Sequence, residues 1–204
     1  MKFILSILAV LAIVFLIGCS AKDTNNNKLS NSEITKLGKK YGGVYVFNKK
    51  FEKEVDDRER ERKEAIKELK GRDLGGGLYA VDTKPVDEKF PQTLSNGKKY
   101  YTTTRAYGED YNKQAKLPEI YKEKIINFIG QEDYNKFKPS MLLSYFYVDD
   151  NKNIIPIVVS VYYTIGYTKY GFFGDEGRGF SLSRRDVKDV GGDSVFYLED
   201  LEQR

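Results

Sequence analysis

Met141-Leu-Leu-Ser-Tyr-Phe-Tyr-Val148 and Ile154-Ile-Pro-Ile-Val-Val-Ser-Val-Tyr-Tyr-Thr-Ile165 flank the polar stretch Asp149-Asp-Asn-Lys-Asn153. In the second segment every odd position from Ile155 to Ile165 is apolar or aromatic, while the even positions include Pro156, Ser160, Tyr162 and Thr164. Period two with one apolar face predicts a strand in a sheet packed on one side. The Asp- and Asn-rich stretch between the segments predicts a hairpin turn. The first segment is apolar on both faces, which predicts a central strand.

Outward from this hairpin, Leu117-Pro-Glu119 opens a helix of about 118–129. Proline fits the first helical turn and glutamate suits the positive end of the dipole. Tyr121, Ile125, Phe128 and Ile129 recur at one buried stripe, which is expected to cover one side of the sheet. Gly130 ends the helix and a short turn follows from Gln131 to Phe137.

A second helix, about 51–70, is the most charged stretch of the chain. Phe51, Val55, Ile66 and Leu69 sit at helical spacing with a gap in the middle. Glu54–Arg58, Asp56–Arg60 and Glu59–Lys63 are four apart with the acid first, the favourable orientation for ion pairs along a solvated face.

Shorter strands are expected at Tyr41–Phe47, Leu78–Thr83, Lys98–Tyr107, Phe180–Ser183 and Ser194–Leu198. Gly38 should stop a short helix that starts near Ser32, and Pro85 and Pro91 should bracket a loop. The pattern predicts an α+β fold: a two-layer, mainly antiparallel sheet with one packed helix and one charged helix, in a single domain over 38–204.

The amino end reads differently. Met1-Lys2 and the apolar run from Phe3 to Ile17 form the pattern of a secretory signal peptide. As a helix the run from Phe3 to Gly18 reaches only ~24 Å, short of a hydrocarbon core of about 30 Å. Leu16-Ile17-Gly18-Cys19 resembles the lipobox of bacterial lipoprotein precursors. The resemblance covers only the leader. It implies a diacylglyceryl group on the Cys19 thiol and cleavage between Gly18 and Cys19, with 1–18 as signal peptide. Two or three acyl chains make an anchor that scarcely dissociates. Ser20 stands where, in two-membrane members of the class, Asp retains a lipoprotein at the inner membrane; the resemblance thus implies transfer to the outer membrane in a cell that has one. Residues 19–37 read as the lipidated cysteine and a flexible tether. The polar stretch Ser20–Ser32 spans on the order of 20 Å.

Composition limits the chemistry. Thirty-four Lys and Arg against 30 Asp and Glu leave a net charge of +4 over 204 residues, too balanced to imply a nucleic-acid partner. With no histidine and one cysteine, histidine-based triads, His-ligated zinc and iron and any internal disulfide are excluded.

Asp149, Asn151 and Asn153 resemble the opening of an EF-hand loop. Position six, where glycine is needed, is Ile154, and position twelve is Ser160 rather than glutamate. Gly171-Phe-Phe-Gly174-Asp-Glu-Gly177-Arg-Gly179 matches neither a P-loop nor a dinucleotide fingerprint; it reads as a mobile surface loop. No catalytic residue, metal site or cofactor is assigned. Exposed aromatics on a sheet and charges on a loop are the candidates for a partner-binding face: Tyr145, Tyr147 and Tyr162, with Asp175, Glu176 and Arg178.

The expected role is a lipid-anchored cell-envelope protein, a non-catalytic binding or accessory module for a protein or glycan partner. The alternative is an envelope hydrolase working through carboxylates. Cys19→Ser should accumulate as uncleaved precursor and take up no radiolabelled palmitate; label at the parental level would refute the lipobox assignment.

Overall fold

The structure, a computed structural model, describes residues 22–23, 29–104, 115–175, 177 and 179–198. It is α+β, with a mainly antiparallel sheet and a few helices. The chain divides into two compact units, each assembled from separate stretches of sequence.

The larger unit spans Gly43–Gln131, Met141–Val161 and Asp193 onward. It holds β2 (Gly43–Val46), α2 (Lys49–Lys67), β3 (Arg72–Gly75), β4 (Leu78–Ala80), α3 (Lys84–Lys89), β5 (Tyr100–Tyr101), α4 (Glu119–Ile129) and β9 (Ser194–Tyr197). It also takes in most of β6 (Ser140–Val148) and the first third of β7 (Ile154–Asp175). Strand order is β5-β6-β7-β2-β9. The β2–β9 pair is parallel, and the β2–β7 and β5–β6 pairs are antiparallel. The hairpin is present, closed by Asp149, whose N–H donates to Asn153 O at 3.0 Å and whose Oδ1 accepts from the Asn153 N–H at 2.7 Å.

The central strand is β7, not β6. Pro156 is the third residue of β7, before the β2 ladder begins at Val158.

Alternation puts Val44 and Val46 of β2 on one face and Tyr45 on the other. Val46 joins Val55 of α2 in a core with Leu94, Tyr100, Ile157 and Val158, and Val44 and Phe51 pack against it. Tyr45 meets Phe128 of α4 edge-on at 5.5 Å and Phe196 of β9 at 4.9 Å. At β2 the charged helix and the packed helix therefore cover opposite faces, which adds a layer to the two that the periodicity implies.

The charged helix is docked by its polar groups rather than merely solvated. None of the three expected i,i+4 pairs is the contact those acids make. Glu54 accepts from the Ser95 N–H at 2.8 Å and hydroxyl at 2.7 Å. Glu59 accepts from the Tyr100 hydroxyl at 2.6 Å and from Gln92 at 2.8 Å. Arg62, nearly buried, donates to Phe90 O at 2.6 Å and reaches Asp87. Segment 87–100 thus fills the apolar gap in the middle of α2. Within it α3 replaces the loop expected between Pro85 and Pro91, because Pro85 sits in the first helical turn, where it needs no donor. The strand expected at 98–107 shortens to β5, and residues 105–107 lie outside the described residues. Leu78–Thr83 shortens to β4, which closes a hairpin with β3 over the positive-φ glycines Gly75, Gly76 and Gly77.

The smaller unit comprises the described residues up to Gly42, then Glu132–Ser140 and Tyr162–Gly192. It contains β1 (Lys22–Asp23), α1 (Asn31–Tyr41), most of α5 (Gln131–Lys136), the rest of β7, and β8 (Gly179–Val190). Ser30 caps α1 in a capping box with Glu33, two residues ahead of the expected start. Gly38 does not end the helix. A Cβ there would stand 2.7 Å from Val190 O, so Gly38 is the point where α1 passes β8. The helix runs on to Gly42, whose N–H donates to Gly38 O at 2.8 Å.

β7 and β8 form a long antiparallel ribbon from Tyr163–Val190 to Asp175–Gly179. The glycine-rich stretch expected to be a loop is mostly strand. A register shift between Tyr170 and Phe173 marks a bulge, and residues 171–175 and 179 are strand. β1 pairs with β7 inside the stretch expected to be a tether, Lys22 opposite Thr168 and Asp23 opposite Tyr167.

The Tyr100–Glu59 contact sets a measurable energy. A double-mutant cycle of Tyr100→Phe and Glu59→Gln, followed by urea unfolding, should return a coupling of roughly 1–2 kcal/mol. Additive single effects would show that the pair does not hold the helix.

Candidate functional site

Concave surface on α2 divides by what its acids are doing. A hollow of about 480 Å³ beside Thr93–Ser95 is lined by Glu54, Asp57, Arg58 and Glu61. There Glu54 is bonded to Ser95, Asp57 to Lys53 and Arg60, and Glu61 to Arg58. The smaller unit has a cleft of about 400 Å³ lined by Glu33, Lys36, Lys40, Asp133 and Lys136. Its Asp133 accepts from the Tyr41 hydroxyl at 2.6 Å and pairs with Lys136 at 2.9 Å and Lys40 at 3.4 Å. Those donors, Tyr41 first, hold its pKa at about 2. In both clefts the acids are bonded within the chain, Glu33 to the Ser30 hydroxyl at 2.7 Å.

A third groove differs. It measures about 380 Å³, with Glu52 and Asp56 contributed by α2 and Val44, Ser144, Tyr145, Val158, Ser160 and Val195 by the sheet. Glu52 and Asp56 are one helical turn apart and so share a face. Among the described residues no salt bridge engages either, although α2 carries several others. Burial raises the Glu52 pKa and the neighbouring Asp56 charge raises it further, against a smaller opposing effect of Lys49.

Opposite them stands Tyr145, whose hydroxyl hydrogen-bonds Asp56; burial first, then the Asp56 charge, push its pKa up. Ser144 and Ser160 place their hydroxyls 2.8 Å apart on adjacent strands, one donating to the other. The groove therefore offers carboxylate acceptors, a half-buried aromatic ring and two hydroxyls over an apolar floor. That set suits a ligand rich in hydrogen-bond donors with an apolar face. Among the described residues no cluster of three or more His, Cys, Asp or Glu could hold a metal ion.

The predicted site residues separate. Tyr145 lines the groove. Tyr147 does not: its ring meets Phe51 edge-on at 5.7 Å and packs against the core. Tyr162 lies in the other unit, with its Cβ 3.9 Å from where a Gly191 Cβ would be, and lines no part of the groove. Asp175 ends β7; Glu176, Arg178 and Cys19 lie outside the described residues. Sequence reasoning missed Glu52, Asp56, Ser144 and Ser160. The available signal was the like-charged Glu52–Asp56 spacing on a helix where acid–base spacing prevails.

Comparison with protein-family models, curated proteins and solved structures finds no match.

The raised Glu52 pKa has a definite sign. Folded chain holds this proton more tightly than unfolded chain, so stability is present at low pH and lost as pH rises from the ordinary glutamate range through the raised value. Glu52→Gln should be more stable than the parent above that range and equal to it below. Urea midpoints measured on both sides check this, and a variant less stable at neutral pH would contradict it.

Proposed function

We propose that the chain is a lipid-anchored cell-envelope protein whose folded part is a non-catalytic binding module for a protein or glycan partner. In this reading Cys19 carries the acyl chains, and the outer membrane is the destination in a cell that has one. The lipobox-like Leu16–Cys19 supports the anchor. No helix among the described residues is long and apolar enough to cross a membrane.

The observation that carries the binding role is the groove in which, among the described residues, no salt bridge engages Glu52 or Asp56 beside Tyr145. Carboxylates accept hydrogen bonds only. Sugar hydroxyls or the basic side chain of a protein supply the missing donors, and the tyrosine ring gives a surface on which a sugar or aliphatic stem packs.

The second reading, a carboxylate hydrolase, is favoured by the raised proton affinity of Glu52, as a general acid requires. Its geometry is less suitable. Glycosidic acids flank the scissile bond, whereas Glu52 and Asp56 project from one helix and meet a ligand from the same side.

Crosslinking in intact membranes followed by affinity capture tests the proposal. The parent should retain a partner that Glu52→Gln and Asp56→Asn each lose by about tenfold or more, the loss expected for a charged hydrogen bond. Equal capture by the variants would sink the groove assignment. Sugar release by the parent and not by Glu52→Gln would replace binding with hydrolysis.

A further inference from the structure

The outer end of the β7–β8 ribbon exposes large apolar side chains where the neighbouring strand residues are small. Phe172 is 87% exposed, Phe180 89% and Leu182 67%. Phe180 lies across from Gly174, whose missing side chain gives its ring room: a Cβ there would come within 2.5 Å of that ring. Register places Ser181 against Phe173 and Ser183 against Tyr170, so Leu182 faces the bulge at Gly171–Phe172. By strand alternation Phe180 and Leu182 share a face, and the bulge brings Phe172 to them. Three bulky apolar groups at the tip of a two-stranded ribbon satisfy nothing within their own unit.

Chain geometry says what lies beside them. β1 runs antiparallel to β7, with Lys22 opposite Thr168 and Asp23 opposite Tyr167. Chain entering β1 from its amino side therefore arrives from the Asp175 end of β7. Cys19 is three residues before Lys22, a span of at most about 11 Å even when extended. Phe172 is four residues past Thr168, roughly 13 Å along the strand. Chain length alone therefore limits Cys19 to within about 11 Å of Lys22, whose partner Thr168 lies on the ribbon that carries the tip.

We propose that this tip is a membrane-contact finger: Phe172, Phe180 and Leu182 enter the interfacial zone of the bilayer that holds the Cys19 lipid. The proposal rests on the lipid-anchor reading and extends it from attachment to orientation. Residues 163–190 carry five cations and four anions, so attraction to anionic headgroups is weak and apolar insertion carries the contact. It should therefore form on zwitterionic phosphatidylcholine and persist at high salt, where exposed charges are screened.

The chain has no tryptophan, so Phe180→Trp and Leu182→Trp each create a single fluorescent reporter. The mature, acylated protein in vesicles of brominated phosphatidylcholine should show blue-shifted emission quenched by roughly twofold or more, as expected for a ring at the headgroup–acyl boundary. Leu78→Trp, an equally exposed site on the β3–β4 hairpin, should be quenched less. Quenching at 78 equal to that at 180 and 182 overturns the proposal. So does a blue shift that depends on protein concentration and not on bromine, which identifies a second copy of the chain as the occupant. Mass measurement of the amino-terminal fragment separates the two readings. An unacylated Cys19 removes the anchor and the finger together; an acylated chain without quenching removes the finger alone.

Discussion

The larger unit depends on a hydrogen bond that a helical wheel would place in solvent. Tyr100 is fully buried at β5, and its hydroxyl must find an acceptor or be left unsatisfied at a cost of about 1–3 kcal/mol. Glu59 supplies the acceptor at 2.6 Å, and Gln92 and Arg62 meet the same carboxylate. Three parts of the chain, α2, segment 87–94 and β5, are joined at one oxygen. Arg62 then continues the chain of contacts to Phe90 O. A helix with few apolar residues is positioned this way by directional bonds, which fix its rotation about its own axis more sharply than a greasy stripe does.

That rotation decides what the helix presents. With Glu54 and Glu59 turned to segment 87–100, Phe51 and Val55 point to the sheet core, and Glu52 and Asp56 are left beside Tyr145. Each face of α2 is thus assigned by its neighbours. Glu52 lies in the first turn behind the Asn48 cap, where the helix dipole ordinarily favours a carboxylate and lowers its pKa. Its pKa is raised, by burial first and the Asp56 charge second.

Local periodicity made the regular parts of this fold legible. The hairpin, the helix opened by Leu117-Pro-Glu119 and the charged helix are all present because each is specified by spacing within a few turns or strand repeats. What spacing does not encode is which long-range partner a polar group takes. The acids at 54 and 59 had suitable bases four residues on, yet the tertiary partners Ser95 and Tyr100 won, since a buried or backbone-anchored donor outcompetes a solvated lysine or arginine worth a few tenths of a kcal/mol. Gly38 failed as a stop signal for the same reason: the helix needs a bare Cα there to clear Val190, a constraint set 152 residues away. The glycines after Gly171 suggested a loop because a bulge and a tight turn use the same residues as a loop does.

The groove was half legible by the same logic. Tyr145 was visible as an aromatic on a strand, but its distinction from Tyr147 was not, although the two are separated by one residue on β6. Tyr147 meets Phe51, and packing explains it fully. Tyr145 meets Asp56, which no salt bridge among the described residues engages. An aromatic whose neighbours are all apolar completes a core. One beside a pair of carboxylates lines a groove with them instead. This asymmetry between neighbouring tyrosines, rather than the number of aromatics in the sheet, separates the one that lines the groove from the one that completes the core.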